Sequence, residues 1–357
     1  MKKIFIAVSL SAILFSCGDK LAPVLPNAIE PTVITEKTPH DTDDPSIWIH
    51  PEDASKSLII GTDKEVGGGL YVYDLNGKIV NSFPEMARPN NVDVAYGLIL
   101  NGKKIDIAVT TERKAQKIRI FSLPDLKPID NGGIDIFVGE TGEDERDGMG
   151  LALYTKKMDS LSTEIHAIVG RKSGPSGTYL WQYKLSDDGT GNVKGEVIRK
   201  FGSYSGKKEI EAIAVDNELG YVYYSDETVG VKKYYANPEK GNEELAFFAQ
   251  KDAKSDHEGI AIYKKDAATG YILVSNQQRN SFLVYPREGT NGNANEHSLI
   301  AEIPVSTIEC DGADASSVNF GPKFPNGIFV AMSNGMVFHL YDWNKIQALI
   351  DQNYKPE

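Results

Sequence analysis

The chain has 357 residues, 41% of them hydrophobic and 25% charged, and a formal net charge of −12. That excess of carboxylates excludes a sequence-independent nucleic-acid binder, which needs a basic footprint to release counterions, and it favours bound cations. The two cysteines, Cys17 and Cys310, cannot build a disulfide framework.

The N-terminus, MKKIFIAVSLSAILFSC, has a two-lysine start, an apolar stretch too short for a typical spanning helix, and the ending Leu14-Phe15-Ser16-Cys17. This ending is similar to a bacterial lipobox. Residues 1–17 are therefore expected to be a lipoprotein-type signal peptide with Cys17 as the lipidation site. The mature protein would then be exported and held in the periplasm or at the outer membrane by its lipid alone; an ordinary signal peptide with an incidental Cys17 is the alternative. Residues 18–30, rich in proline and polar side chains, read as a flexible tether. The segment PTVITE, Pro31–Glu36, is a β-rich run with no strand beside it in sequence.

From there a unit recurs six times. An apolar strand headed by a carboxylate (Asp44, Asp93, Asp147, Glu211, Glu258, Asp314) is followed by a strand running into polar residues (LIIGTDK, DIAVTTER, HAIVGRK, VYYSDET, YILVSNQ, FVAMSN). A third strand then ends near an aromatic. A spacing of roughly 50 residues suits four-stranded propeller blades rather than helical repeats. The expected fold is all-β, a single six-bladed β-propeller over residues 31–350, with Pro31–Glu36 completing blade six so that no sheet edge stays open. A helix pattern appears only at YDWNKIQALI near the C-terminus.

Inner strands of a propeller run the same way past its axis, so the strand heads are expected to meet on one rim. The ends of the second strands join them there and separate by charge. Lys64, Arg113, Arg171 and Lys172 come from blades one to three, whereas Glu211, Glu227, Asp256, Glu258, Asp311 and Asp314 come from blades four to six. Two motifs are dense in hard oxygen donors of the kind calcium collects. They are His40-Asp41-Thr42-Asp43-Asp44 before Pro45, and Asn90-Asn91-Val92-Asp93 on the next blade. Of the histidines, His40 reads as a structural partner of the acidic turn. His257 sits between Asp256 and Glu258, and strand alternation turns it away from their face. Cys310 reads as a small packing residue.

At DTDDPSIW and NNVDVAYG the chain resembles the β-propeller phytases, calcium-dependent phosphatases acting on myo-inositol hexakisphosphate, and the likeness runs from about His40 to Trp343. The resemblance implies several calcium ions held by Asp43, Asp44, Asn91, Asp93, Glu211, Glu227, Asp256, Glu258, Asp311 and Asp314. It implies phosphate binding by Lys64, Arg113, Arg171 and Lys172, and catalysis by Glu211, Glu227, Asp256, Glu258 and Gln277 around a metal-activated water. The implied partner is phytate or a lower inositol phosphate, with no nucleic acid, no membrane contact except the lipid, and a monomeric protein. Met149 stands where the family carries a tyrosine, Glu65 where it carries a second lysine, and the loop after FVAMSN is short, which puts one calcium site of the family in question. Two other readings stay open. One is a calcium-dependent propeller lactonase or esterase, since fold does not fix function, and the other is a non-catalytic calcium-binding propeller recognising a glycan or protein.

Overall fold

The computed structural model describes residues 21–158 and 163–356; the leader and Cys17 lie outside the described residues. Six antiparallel sheets surround a central axis. Their inner strands are Thr42–Trp48, Pro89–Leu100, Gly148–Lys157, Ile213–Asp216, His257–Lys264 and Ala313–Ser316. Each inner strand touches the next, and the sixth returns to the first. Blade two carries one extra short strand, Lys127–Pro128. Within the described residues the one α-helix is Trp343–Asp351.

The blades hold together because both faces of each sheet are apolar. Separate clusters fill the gaps between successive blades: Trp48, Ile60, Val92 and Phe121 between blades one and two; Val109, Leu153 and Trp181 between two and three; Ile168, Ile213 and Tyr224 between three and four; Tyr223, Ile260 and Val274 between four and five. A larger cluster joins blades five, six and one, with Phe329 and Phe338 at its centre. The packing leaves no room at Gly61, where a Cβ would lie 2.2 Å from the Phe338 ring.

Val33–Ile34 is the outer strand of blade six, as the sequence leads one to expect. Val33 pairs with Leu340 and Ile34 with His339. Thr32 N–H donates to Leu340 O at 2.8 Å, Thr35 N–H to Phe338 O at 3.0 Å, and Phe338 N–H to Thr35 Oγ1 at 2.9 Å. The last strand is thus supplied by the start of the chain, closing the ring. The stretch just before it departs from the expected flexible tether. Ile29 is buried and donates its N–H to Pro304 O at 2.9 Å, while Asn280 Nδ2 donates to Ala22 O at 2.8 Å. The apolar side chain of Ile29 fills the seam under blades five and six, and this fixes the backbone beside it.

Candidate active site and metal centre

The register of the inner strands defines which residues converge. Ser46, Asp93, Ala152, Ala214, Ala261 and Asp314 sit opposite equivalent residues of their second strands: Ile60, Val109, Ile168, Tyr223, Leu273 and Val330. Three residues earlier stand Asp43, Asn90, Met149, Glu211, Glu258 and Asp311. In blades one, two, three and five a β-bulge falls at this level, between Thr42 and Pro45, Pro89 and Val92, Gly148 and Leu151, and His257 and Ile260. A bulge puts two residues opposite one and re-aims their side chains. Gly312 follows Asp311 because the next blade crowds it: a Cβ there would lie 2.3 Å from Asp44 Oδ1.

The ring that meets on the rim therefore differs from the one read off the strand heads. Glu211 and Glu258 belong to it, while Asp43 and Asp311 replace Asp44 and Asp314. The latter two and Asp93 lie along the axis and staple adjacent blades. Asp44 accepts from Val92 N at 3.0 Å, Asp93 from Leu153 N at 2.7 Å, and Asp314 from Ile47 N at 2.9 Å. Asp147 is not in the ring and pairs with Lys114 at 2.8 Å and Arg113 at 3.4 Å. A one-residue slip decides the face a strand residue points to, and sequence periodicity does not reveal bulges.

The ends of the second strands obey a second rule. The first residue of each terminal pair (Asp63, Glu112, Arg171, Asp226, Asn276, Ser333) is buried and anchors the loop that leads into its own blade. Asp63 accepts from His40 N and Asp41 N, Glu112 from Ala87 N, Asp226 from Ser205 N, Asn276 from Lys254 N, and Ser333 Oγ from Ile308 N. Arg171 fills this position in blade three. Fully buried, it pairs with Glu140 at 2.7 Å, donates to Thr178 O at 3.1 Å, and lies against the rings of Phe137, Tyr179 and Trp181. The structure therefore does not bring Arg171 to the basin, where its fork would be needed. Of the second residues, Lys64 reaches Asp43 and Asp311, Lys172 reaches Glu209, Glu227 joins Glu209 and Glu211, and Gln277 reaches Asp311, whereas Arg113 is buried and pairs with Asp147. His40 holds Asp63 at 3.0 Å, and buried His257 bonds to Ala249 O.

The acidic half is compact. One carboxylate oxygen from each of Glu209, Glu211 and Glu227 lies within 4.8 Å of the others. Asn90 Nδ2 donates to Asp43 Oδ2 at 2.9 Å, to Asn91 Oδ1 at 3.0 Å, and also to Glu211 Oε1. Gln277 Nε2 donates to Asp311 Oδ1 at 2.6 Å, and Gln278 Nε2 to Asp256 Oδ2 at 2.6 Å. Lysines compensate part of the charge. Lys64 lies 2.6 Å from Asp311 and 3.0 Å from Asp43; Lys208 lies 3.0 Å from Asp256 and 3.1 Å from Glu227; Lys172 pairs with Glu209. Sequence reasoning passed over Glu209 and Lys208, and read Asn90 only as a member of an oxygen-donor motif, not as the amide joining Asp43 to Glu211. Period-two alternation in KKEIE puts Glu209 on the face of Glu211, and this was the available signal.

Burial pushes Glu258 far above the ordinary carboxylate range, with Glu227 and Glu211 adding to it; burial together with Asp43 does the same to Glu211. Burial and the Glu209 charge push Glu227 to about 7, and burial pushes Asp311 to about 6. Glu227 Oε1 and Glu258 Oε2 are buried with no hydrogen-bond partner. Buried carboxylate oxygens without donors, crowded by like charges, are what a hard cation relieves, so the donor set fits calcium.

These features describe a six-bladed propeller whose rim carries an acidic, cation-demanding cluster edged by Lys64, Lys172 and Lys208. A family model described as Phytase matches residues 6–355. The chain is 33% identical over 324 residues to the 3-phytase of Bacillus subtilis (strain 168), covering 85% of this chain and 80% of that protein. It belongs to the phytase family. Two solved structures share its fold alone. A luciferin-regenerating enzyme matches at TM-score 0.51 and 13% identity, covering 87% of this chain and 95% of that one. BBS1N, solved in complex with ARL6DN, matches at TM-score 0.52 and 10% identity, covering 88% and 85%.

Proposed function

We propose that the basin hydrolyses phosphomonoesters of phytate with the help of calcium, a water oxygen attacking phosphorus as the ester oxygen leaves. The observation that carries this reading is the Glu209–Glu211–Glu227 cluster, with the partnerless oxygens of Glu227 and Glu258, edged by Lys172 on Glu209 and by Lys64 on Asp43 and Asp311. Asp43, Glu209, Glu211, Glu227, Asp256, Glu258 and Asp311 would hold the metal. Bound calcium supplies charge neutralisation and an acidified water at the phosphate. Lys64, Arg113 and Lys172 bind the phosphate oxygens by charge-assisted hydrogen bonds, and Gln277 orients the water through its amide. Asn90 holds the Asp43 and Glu211 carboxylates apart at a fixed spacing. A lactonase or a binding module has no use for these rim cations.

Phosphate release from phytate is the test. It should stop when a chelator strips calcium and return when calcium is restored; release that survives complete stripping refutes the reading. We propose further that Cys17 is acylated and anchors an exported, monomeric protein. No helix among the described residues is long and apolar enough to cross a membrane. Loss of palmitate labelling in Cys17→Ser tests the anchor.

A further inference from the structure

Lys208 departs from the other rim cations in where it stands. Its ammonium lies 3.1 Å from Glu227 Oε2 and 3.0 Å from Asp256 Oδ2, joining blades four and five in the middle of the acidic arc. The backbone there is pinned: Ser205 donates its N–H at 2.9 Å and its Oγ at 2.7 Å to Asp226, Tyr204 OH donates to Lys208 O, and the Tyr204 ring packs on Tyr179. The side chain is 44% exposed, so among the described residues its only restraints on the open side are these two ion pairs. A pinned backbone under a half-exposed ammonium is an arrangement for side-chain exchange rather than loop movement.

We infer that the Lys208 ammonium is an internal stand-in for a divalent cation, bridging Glu227 and Asp256 when the metal is absent and displaced when it binds. The inference rests on the calcium reading of the basin. Two consequences follow from charge. Lys208 stabilises the metal-free protein, because one positive charge between two buried carboxylates offsets their repulsion. It also weakens calcium binding, because the ion must break both contacts before using those oxygens. The residue thereby sets a threshold of calcium below which the centre stays closed by its own lysine. Lys64 bridges Asp43 and Asp311 in a similar way, but its side chain is only 22% exposed and Asp41 adds a third carboxylate at 3.8 Å. Lys208 is therefore the one placed to leave.

The test compares wild type, Lys208→Gln and Lys208→Arg by calcium titration calorimetry and by melting in chelator. Lys208→Gln should bind calcium about tenfold more tightly, the factor for one charge-assisted contact, and should melt lower than wild type in chelator, while Lys208→Arg resembles wild type. Unchanged or weaker calcium binding in Lys208→Gln overturns the inference. A second measurement needs no variant: amine-reactive labelling of Lys208 in wild type, read by mass spectrometry, should rise several-fold when calcium is added. Labelling that stays level or falls overturns it as well. Absence of calcium binding in wild type itself would instead refute the calcium reading.

Discussion

Arg171 is where a substrate role and a structural role make opposite demands. Replacing it with methionine keeps an unbranched apolar stem against Phe137, Tyr179 and Trp181 but removes the guanidinium that pairs with Glu140 and caps Thr178 O and Glu145 O. Breaking one partner out of a buried ion pair costs about 3–5 kcal/mol. Retained contact between the methionine and the rings argues for the lower part of that range, about 3–4 kcal/mol. Taken against a total stability of about 5–15 kcal/mol, this is a large fraction, and at ~2 °C per kcal/mol it lowers the melting temperature by roughly 6–8 °C. The loop carrying Glu140 and Glu145 loses its anchor, so the loss should show as earlier melting and faster proteolysis at residues 140–147. Lys172→Ala, one residue on, should do the reverse: little change in melting and weaker phytate binding. Denaturation of both variants with phytate titration decides the matter. An Arg171→Met protein of unchanged stability that binds phytate poorly would refute the two-position rule and restore Arg171 to the basin.

Glu258→Gln should cut phosphate release by about 100-fold or more, as removal of a preorganised charged group does, yet raise the melting temperature in chelator at neutral pH, because the folded metal-free protein no longer has to keep a buried carboxyl protonated that ionises in the unfolded chain; lower stability in chelator would contradict this. Lys64→Ala should weaken phytate binding by about 1.5–3 kcal/mol, and unchanged binding at saturating calcium would remove it from the phosphate site. Truncation of residues 21–38 strips blade six of the bonds made by Thr32, Thr35 and Thr38 and blade five of the bond from Ile29 to Pro304. Five hydrogen bonds at about 1 kcal/mol each come to about 5 kcal/mol, so the truncated protein should melt far lower, and equal melting would refute closure by this strand. The metal-free protein should lose stability as pH rises. Burial foremost holds Glu227 and Asp93 at about 7 and Asp311 and Asp314 at about 6 when folded, above their unfolded values, so the native state binds the extra protons between about pH 4 and 7 and their release destabilises it. Calorimetry in chelator from pH 5 to 8 should show this fall, and calcium should raise melting most at pH 8; metal-free melting that climbs across the window would refute it.

The propeller, its six units and the strand that closes it were legible because they rest on apolar repetition. A second strand such as LIIGTD is buried along nearly its whole length, and so it keeps its pattern. The charge division around the rim was legible for a related reason: polar residues at the ends of apolar strands have few places to go. The depth of each carboxylate was not legible. Asp43 and Asp44 are adjacent and chemically identical, yet one reaches Asn90 and Lys64 in the basin and the other caps a backbone N–H on the axis. Arg171 and Lys172 repeat the ambiguity. In both pairs the outcome depends on register, and register depends on bulges and neighbouring loops that leave no periodic trace.

The level three residues before Ser46, Asp93, Ala152, Ala214, Ala261 and Asp314, bulged in four of the six blades, also accounts for the polarity of the basin. Read around the ring, it carries Asp43 in blade one, Asn90 in blade two, Met149 in blade three, Glu211 in blade four, Glu258 in blade five and Asp311 in blade six. Negative charge is thus present in four successive blades and absent from blades two and three. Blade three brings Lys172 to the rim beside Glu209, and blade two carries the buried Arg113 against Asp147. An anionic substrate approaching along the axis is repelled by one arc until cations fill it and is attracted by the other throughout. A carboxylate at position 149 would extend the acidic arc next to Lys172 and remove that asymmetry. Met149→Glu should therefore weaken phytate binding through charge, whereas Met149→Leu, similar in volume and uncharged, should leave it intact. Equal loss in both variants, measured by phytate titration at saturating calcium, would mean that packing at this position, and not the missing charge, shapes the phosphate side of the site.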